Sequence, residues 1–207
     1  MPESIFRYFP TLSTVQKTKF SQMKNIYERW NIKINVISRK DMDNFFIHHV
    51  LHSLAIARII SFIPGTTVLD VGTGGGFPGI PLAIIFPESE FILLDSIEKK
   101  IKVVTAVSEE LELKNVVPSR KRAEEENGKY DFIVSRAVTE FPDFVKLTSR
   151  NIVKNGKNSL KNGILYLKGG DLQKELSQFR NRVLTWDISN FFSEPYFQTK
   201  KIVYLPV

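Results

Sequence analysis

The sequence predicts an α/β fold, a mostly parallel sheet preceded by an N-terminal helical extension. Three observations carry that prediction. Beyond Gly65, short apolar runs alternate with longer amphipathic ones, the order that builds a parallel sheet flanked by helices. The run Val68-Leu69-Asp70-Val71 leads directly into Gly72-Thr73-Gly74-Gly75-Gly76 and then Phe77-Pro78-Gly79-Ile80-Pro81. Strand, glycine turn and helix are the first half of a nucleotide-binding βαβ unit. Two strand-like runs close the chain together, which gives the sheet an antiparallel edge.

Each element has its own signal. Over residues 12–31, Leu12, Val15, Phe20, Met23, Tyr27 and Trp30 recur at a mostly helical period. Lys17, Lys19, Lys24 and Arg29 lie between them, as a solvated basic face or a nucleic-acid contact. From Trp30 to Ile37 apolar and polar residues alternate, which predicts a turn and a short extended segment. Asp41 or Asp43 can cap a helix from about Asn44 to Phe62, with Phe45, Phe46, Val50, Leu51, Leu54, Ile56, Ala57, Ile60 and Ile63 inward. That helix holds all three histidines, His48, His49 and His52. Without His-Glu-x-x-His or cysteine, packed or hydrogen-bonded histidines are expected and no metal. Pro64-Gly65 ends the helical region, dividing an extension (1–64) from a sheet domain (65–207).

Strands are then expected at Val68–Val71, Phe91–Asp95, Asn115–Val117, Tyr130–Ser135 and Ile164–Lys168, and in the closing pair Val183–Trp186 and Ile202–Leu205. Helices are expected at Ile80–Phe86, from a Ser96 cap to Leu111, over Phe141–Val153, and from an Asp171 cap to Phe179. The inner stripe of the second is Ile97, Ile101, Val104, Val107, Ser108 and Leu111.

Composition sets the limits. The 207 residues are enough for one such domain with its extension. A net charge of +7 favours an acidic partner, nucleic acid first. The absence of cysteine excludes disulfides, thiolate metal sites and a cysteine nucleophile. No run reaches the length of a membrane span, and the first residues lack a signal peptide's apolar core. A cytoplasmic monomer with no membrane partner is expected.

The ligand is narrowed by the acid ahead of the glycines. Gly74, Gly76 and Gly79 match Gly-x-Gly-x-x-Gly, so a dinucleotide is one reading. A P-loop is disfavoured, because no Gly-Lys-Ser/Thr follows. The fuller pattern, Asp70-x-Gly72-x-Gly74-x-Gly76, resembles the first motif of class I methyltransferases. Their Rossmann-like fold binds S-adenosylmethionine, whose ammonium and sulfonium favour nearby carboxylates. Asp95 follows the glycines by about 20 residues, where a ribose-binding acid belongs. In a doubly wound sheet the strand C-termini face the ligand. Asp70, Asp95, the 120–124 block, Arg136 and Lys168 therefore converge on one crevice.

The acceptor is narrowed by what is missing. Pyrimidine C5 methylation usually needs a cysteine. Exocyclic amine methylation usually uses Asp/Asn-Pro-Pro-Tyr/Phe, where this chain has Ser135-Arg136-Ala137-Val138. A ring nitrogen such as guanine N7 has a free lone pair, so positioning does most of the work. A useful cation must then touch O6 or a phosphate and leave N7 open. A small-molecule or protein methyltransferase, or a non-enzymatic binder on the same fold, stays open at this point.

Taken together, the motifs resemble the ribosomal RNA small subunit methyltransferase G family, also called glucose-inhibited division protein B. They are Trp30-Asn31-Ile32-Lys33-Ile34-Asn35, the stretch Asp70–Pro81, Leu93-Leu94-Asp95-Ser96, Arg122-Ala123-Glu124, Ser135-Arg136-Ala137 and Leu167-Lys168-Gly169. His52 departs from the pattern, standing where His-x-x-Asp-Ser-Leu has its acid. The resemblance implies methylation of guanine N7 in 16S ribosomal RNA or the small subunit. It implies cofactor contacts from Gly72, Phe77, Ala123, Glu124 and Arg136, beside Asp70, Gly74 and Asp95 from the motif itself. Arg122, Arg136 and Lys168 match its basic positions near the reacting groups.

Overall fold

The computed structural model describes residues 2–136 and 138–207. A seven-stranded sheet runs in the order β3-β2-β1-β4-β5-β7-β6. Its strands are β1 (Thr67–Val71), β2 (Glu90–Asp95), β3 (Val116–Arg120), β4 (Phe132–Arg136), β5 (Gly163–Gly169), β6 (Leu184–Asp187) and β7 (Lys200–Pro206). The first five pair in parallel, with Asp70 opposite Leu93 and Val134. β7 inserts antiparallel between β5 and β6. The closing strands are thus antiparallel neighbours, but two 3₁₀ turns separate them instead of a tight hairpin.

Alternate strand residues serve opposite faces, as the period-2 pleat demands. Val68, Phe91, Leu93, Phe132, Val134 and Leu165 share one apolar cluster with the N-terminal helices and with α5 (Glu98–Glu110). Leu69, Val71, Leu94, Ile133, Ile164 and Tyr166 share the other with Phe141 and Phe144 of α6 (Phe141–Thr148). The first cluster runs unbroken from Ile5 to Tyr204, so the extension and the sheet bury one another.

The N-terminal region differs most from expectation. An unexpected α1 (Glu3–Tyr8) buries Ile5. α2 (Thr14–Lys33) starts at a capping box made by Ser13 and Gln16. Its inner face is Phe20, Met23, Ile26 and Tyr27, whereas Val15, in the first turn, is 64% exposed. The helix does not break at Trp30. It continues to Lys33, and buried Asn31 folds the exit, accepting from Val36 and Ile37 N–H (2.8 and 3.0 Å) and donating to Ile37 O (2.7 Å). Polar alternation there reads as extended, yet it encodes this amide clamp. The next stretch is a chain of helical turns: 3₁₀ at Arg39–Asn44, a wide π-helix at Phe45–Leu51, α3 (His52–Leu54) and 3₁₀ at Ile56–Arg58. Ile63, expected inside, is 37% exposed.

Three further expectations are corrected. α4 (Gly79–Ile85) and α5 lie where predicted, but Ser96 does not cap α5; Asp95 Oδ1 accepts from Ile97 N instead (2.9 Å), and Ile97 turns outward. α6 stops at Thr148, because Ile152 and Val153 bridge back to Tyr130 beside the sheet. No α-helix follows Asp171, whose carboxylate takes Gln173 N (2.9 Å); turns there bury only Leu172 and Leu176 and end in 3₁₀ at Ser177–Phe179.

Candidate active site

The glycine turn is held from beneath by Asp70. This side chain is fully buried. Its Oδ2 accepts from Thr73 Oγ1 (2.7 Å) and Gly79 N (2.8 Å), which ties the end of β1 to the start of α4. Its Oδ1 has no hydrogen-bond partner. Burial pushes the carboxyl up to about 7, while those two hydrogen bonds oppose the rise. Tyr27, reaching in from α2, donates to Gly75 O (2.6 Å). Gly72 needs to be glycine twice over. Its φ is +69°, and a Cβ would lie 2.6 Å from Val138 Cγ2.

A cleft of about 520 Å³ opens above the C-termini of β1, β2 and β4. Its walls include Gly72, Asp95, Ile97 and Lys100, the 121–124 segment, Arg136, Val138 and Leu147. Asp95 Oδ2 accepts from Gly74 N (3.0 Å) and faces Lys100 Nζ at 3.4 Å, so it fixes the turn from the cleft side. The 121–124 wall is braced by residues with no sequence signal. Arg150 donates to Glu124 O and Glu126 O, and Asn151 to Glu126 O and Gly128 O (both 2.9 Å).

Arg136 ends β4 and lies under the helical extension. Its Nη1 donates to His48 O (3.1 Å), its Nη2 lies 3.1 Å from His49 Nδ1, and its guanidinium stands 5.3 Å over the Phe77 ring. Asp41 caps nothing; it bridges His48 Nδ1 (2.6 Å) and His49 Nε2 (2.7 Å). Burial and the adjacent Arg136 charge hold His49 down at about 4, so its imidazole is neutral near pH 7. His52 is buried edge-on to Tyr196 and Phe197, with no partner for Nε2.

Six of the sequence-predicted residues therefore line one cleft: Gly72, Asp95, Arg122, Ala123, Glu124 and Arg136. Asp70, Gly74 and Phe77 are not among its wall residues. Asp70 and Phe77 support the turn and Arg136 from behind, and Gly74 is held by its N–H on Asp95. Lys168 is not a wall residue either. Its ammonium pairs with Glu175 and donates to Thr139 O (3.2 Å), while Tyr166 Oη accepts from Val138 N and Thr139 N (3.0 and 3.1 Å). Lys168 thus holds the loop that carries Val138 to the wall. Sequence reasoning missed Val138, Leu147, Lys100 and Arg150, which come from four different segments. It named Asp41 only as a cap and missed its role beside the histidines, which stand seven and eight residues, about two helical turns, further on.

The basic face of α2 is largely committed to this fold. Lys19 donates to Leu111 O and Glu112 O, Arg29 pairs with Glu110, and Lys24 with Glu28 at 3.6 Å.

The family model for GidB, rRNA small subunit methyltransferase G, matches residues 16–199. Ribosomal RNA small subunit methyltransferase G of Flavobacterium johnsoniae is 57% identical over 99% of this chain and 98% of its own. The protein of that name from Flavobacterium psychrophilum is 58% identical with the same coverage. Among solved structures, a SAM-dependent methyltransferase from Aquifex aeolicus superposes with a TM-score of 0.58 at 15% identity, covering 79% of this chain and 93% of that one. That likeness shows the class I methyltransferase fold, and the full-length identities go further: this chain belongs to the rRNA small subunit methyltransferase G family.

Proposed function

We propose that the protein transfers a methyl group from S-adenosylmethionine to N7 of a guanine in 16S ribosomal RNA. The observation that carries this reading is the cleft itself. One glycine turn, one strand-end carboxylate, the Ala123–Glu124 wall and one half-buried arginine meet there, in a chain of this family.

The cleft suits the cofactor. Its volume matches a nucleoside-sized ligand. Gly72 and Val138 leave no room for a Cβ at the floor, so a ligand there lies against bare backbone. Asp95 stands where ribose hydroxyls can donate to it. When bound, S-adenosylmethionine supplies an electrophilic methyl on a sulfonium. The chain's residues then have to place the acceptor in line with it. Among the described residues no histidine or tyrosine is on the wall to serve as a base, and guanine N7 requires none, since its lone pair is free. Arg122, exposed on the wall, is suited to guanine O6 or a phosphate, which leaves N7 open. Arg136 is suited to an anionic group of the ligand, and Lys168 serves the site through the Thr139 loop.

Residues 1–64 act as an extension that packs on the 65–207 domain, and the enzyme works as a cytoplasmic monomer. No described helix is long and apolar enough to cross a membrane. Exposed Arg122, on the cleft wall beyond the C-terminus of β3, is placed to meet an RNA phosphate, whereas Lys154, Lys157 and Lys161 lie on the loop entering the N-terminus of β5, at the opposite edge of the sheet.

The test is incubation with labelled S-adenosylmethionine and either unmodified 16S RNA or small subunits, followed by mapping of the labelled atom. Label on guanine N7 in either substrate is expected. Label only on protein, on a small molecule or on another base atom would overturn the proposal.

A further inference from the structure

We propose that Asp41 and His49 are positioning residues that aim the Arg136 guanidinium at the carboxylate of the bound cofactor. This rests on the reading of Arg136 as a cofactor contact and adds how the arginine is held and what it grips. Among the described residues no Asp or Glu forms an ion pair with Arg136. A half-buried guanidinium without a carboxylate partner gives up hydration uncompensated, and its charge is available to an anionic ligand. What holds it is neutral: the His48 carbonyl, the His49 ring and the Phe77 face.

The hydrogen-bond chain has a single consistent polarity. An ionised Asp41 can only accept, so His49 Nε2 carries the ring proton and donates to Asp41 Oδ2 at 2.7 Å. His49 Nδ1 then presents a lone pair, and Arg136 Nη2 donates to it at 3.1 Å. The same carboxylate bonds His48 Nδ1 at 2.6 Å, which pins the residue whose carbonyl takes Nη1. Both acceptors sit on the wide-turned helix Phe45–Leu51, a form that recurs at functional sites. The Phe77 ring, next to the glycine turn, closes the remaining side.

Two near-isosteric variants separate positioning from packing. In His49→Asn the amide oxygen falls near the place of Nδ1 and can still accept from Arg136. In His49→Gln the amide reaches the place of Nε2 and Asp41, fills more volume, and leaves Arg136 without its acceptor. Calorimetry with two probes reads the consequence: S-adenosylhomocysteine, which has the carboxylate, and 5′-methylthioadenosine, which does not. We expect His49→Gln to weaken S-adenosylhomocysteine by about tenfold, the loss of one oriented charged hydrogen bond, and to leave methylthioadenosine within about twofold. His49→Asn stays near wild type for both. Asp41→Ala follows His49→Gln, and His49→Gln adds no further loss in an Arg136→Ala background. Equal weakening of both probes, or Gln tolerated better than Asn, would overturn the proposal in favour of packing. Wild-type affinity of Arg136→Ala for S-adenosylhomocysteine would instead remove the underlying reading of Arg136. The two failures are therefore distinguishable.

Discussion

Replacing Asp70 by Asn should abolish a pH dependence of stability that the wild-type protein owes to this one buried carboxyl. The ordinary value of the group is 3.8, and burial raises it to about 7 in the folded protein. Between these values the folded state keeps a proton that the unfolded chain has released. Stability therefore falls as pH rises through that window, and it is flat above it. The gap from 3.8 to about 7, at about 1.36 kcal/mol per tenfold change in proton affinity, amounts to roughly 4 kcal/mol in all. About 3 kcal/mol of that lies between pH 5 and pH 8. Asparagine keeps one oxygen for Thr73 Oγ1 and Gly79 N and has no proton to lose. Its amide must occupy the place of the unpartnered Oδ1, which adds an offset that does not vary with pH. Urea denaturation of both proteins at pH 5, 6, 7 and 8 isolates the slope. The wild type should lose stability relative to Asp70→Asn as pH rises. Parallel curves would mean that Asp70 is ionised throughout and that its burial carries no such cost.

Gly72→Ala should cost about 1–2 kcal/mol of stability for its left-handed backbone and weaken S-adenosylhomocysteine in calorimetry, since its Cβ meets Val138. Gly65→Ala, at φ +78° with nothing within 4 Å of the added carbon, should show the backbone cost and unchanged affinity. Asn31→Ala strands two N–H groups and one carbonyl and should destabilise by about 2–3 kcal/mol in urea denaturation. RNA affinity, measured by filter binding, should fall at least tenfold between about 50 and 200 mM salt, because phosphate contacts release counterions. In the same assay, Arg122→Glu, a charge reversal on the cleft wall, should flatten that slope, whereas Lys24→Ala, a change at a residue paired with Glu28, should not.

The strand-turn-helix at Val68–Ile85 was legible in the sequence because its determinants are local. Branched apolar residues, glycines at positive φ and a proline beside the helix start act within a few residues of one another. The mostly parallel sheet with its antiparallel edge followed from the alternation of strands and helices and the closing strand pair, and Asp95 and the 122–124 block followed from the rule that strand C-termini gather the ligand. The helix at 44–62 was legible as apolar spacing but not as a π-helix, since 3.6- and wider-turn helices share nearly the same short-range pattern. Val15 was assigned inward because periodicity cannot say where along a helix the partner begins.

By itself the sequence determined the class of fold, the family and the segments that approach the ligand, since each of these is written in neighbouring residues. Only the tertiary structure decided which side chains reach the cleft and which stand behind it. Asp70 proved to be a buried tie between β1 and α4. Lys168 was drawn to Glu175 and the Thr139 carbonyl, and Arg136 was caught between Phe77 and a histidine held by Asp41. Those outcomes depend on contacts between residues far apart in the chain. Asp41 and Arg136 are joined through His49 because the turns after α2 fold over the sheet end, and no local spacing encodes that crossing.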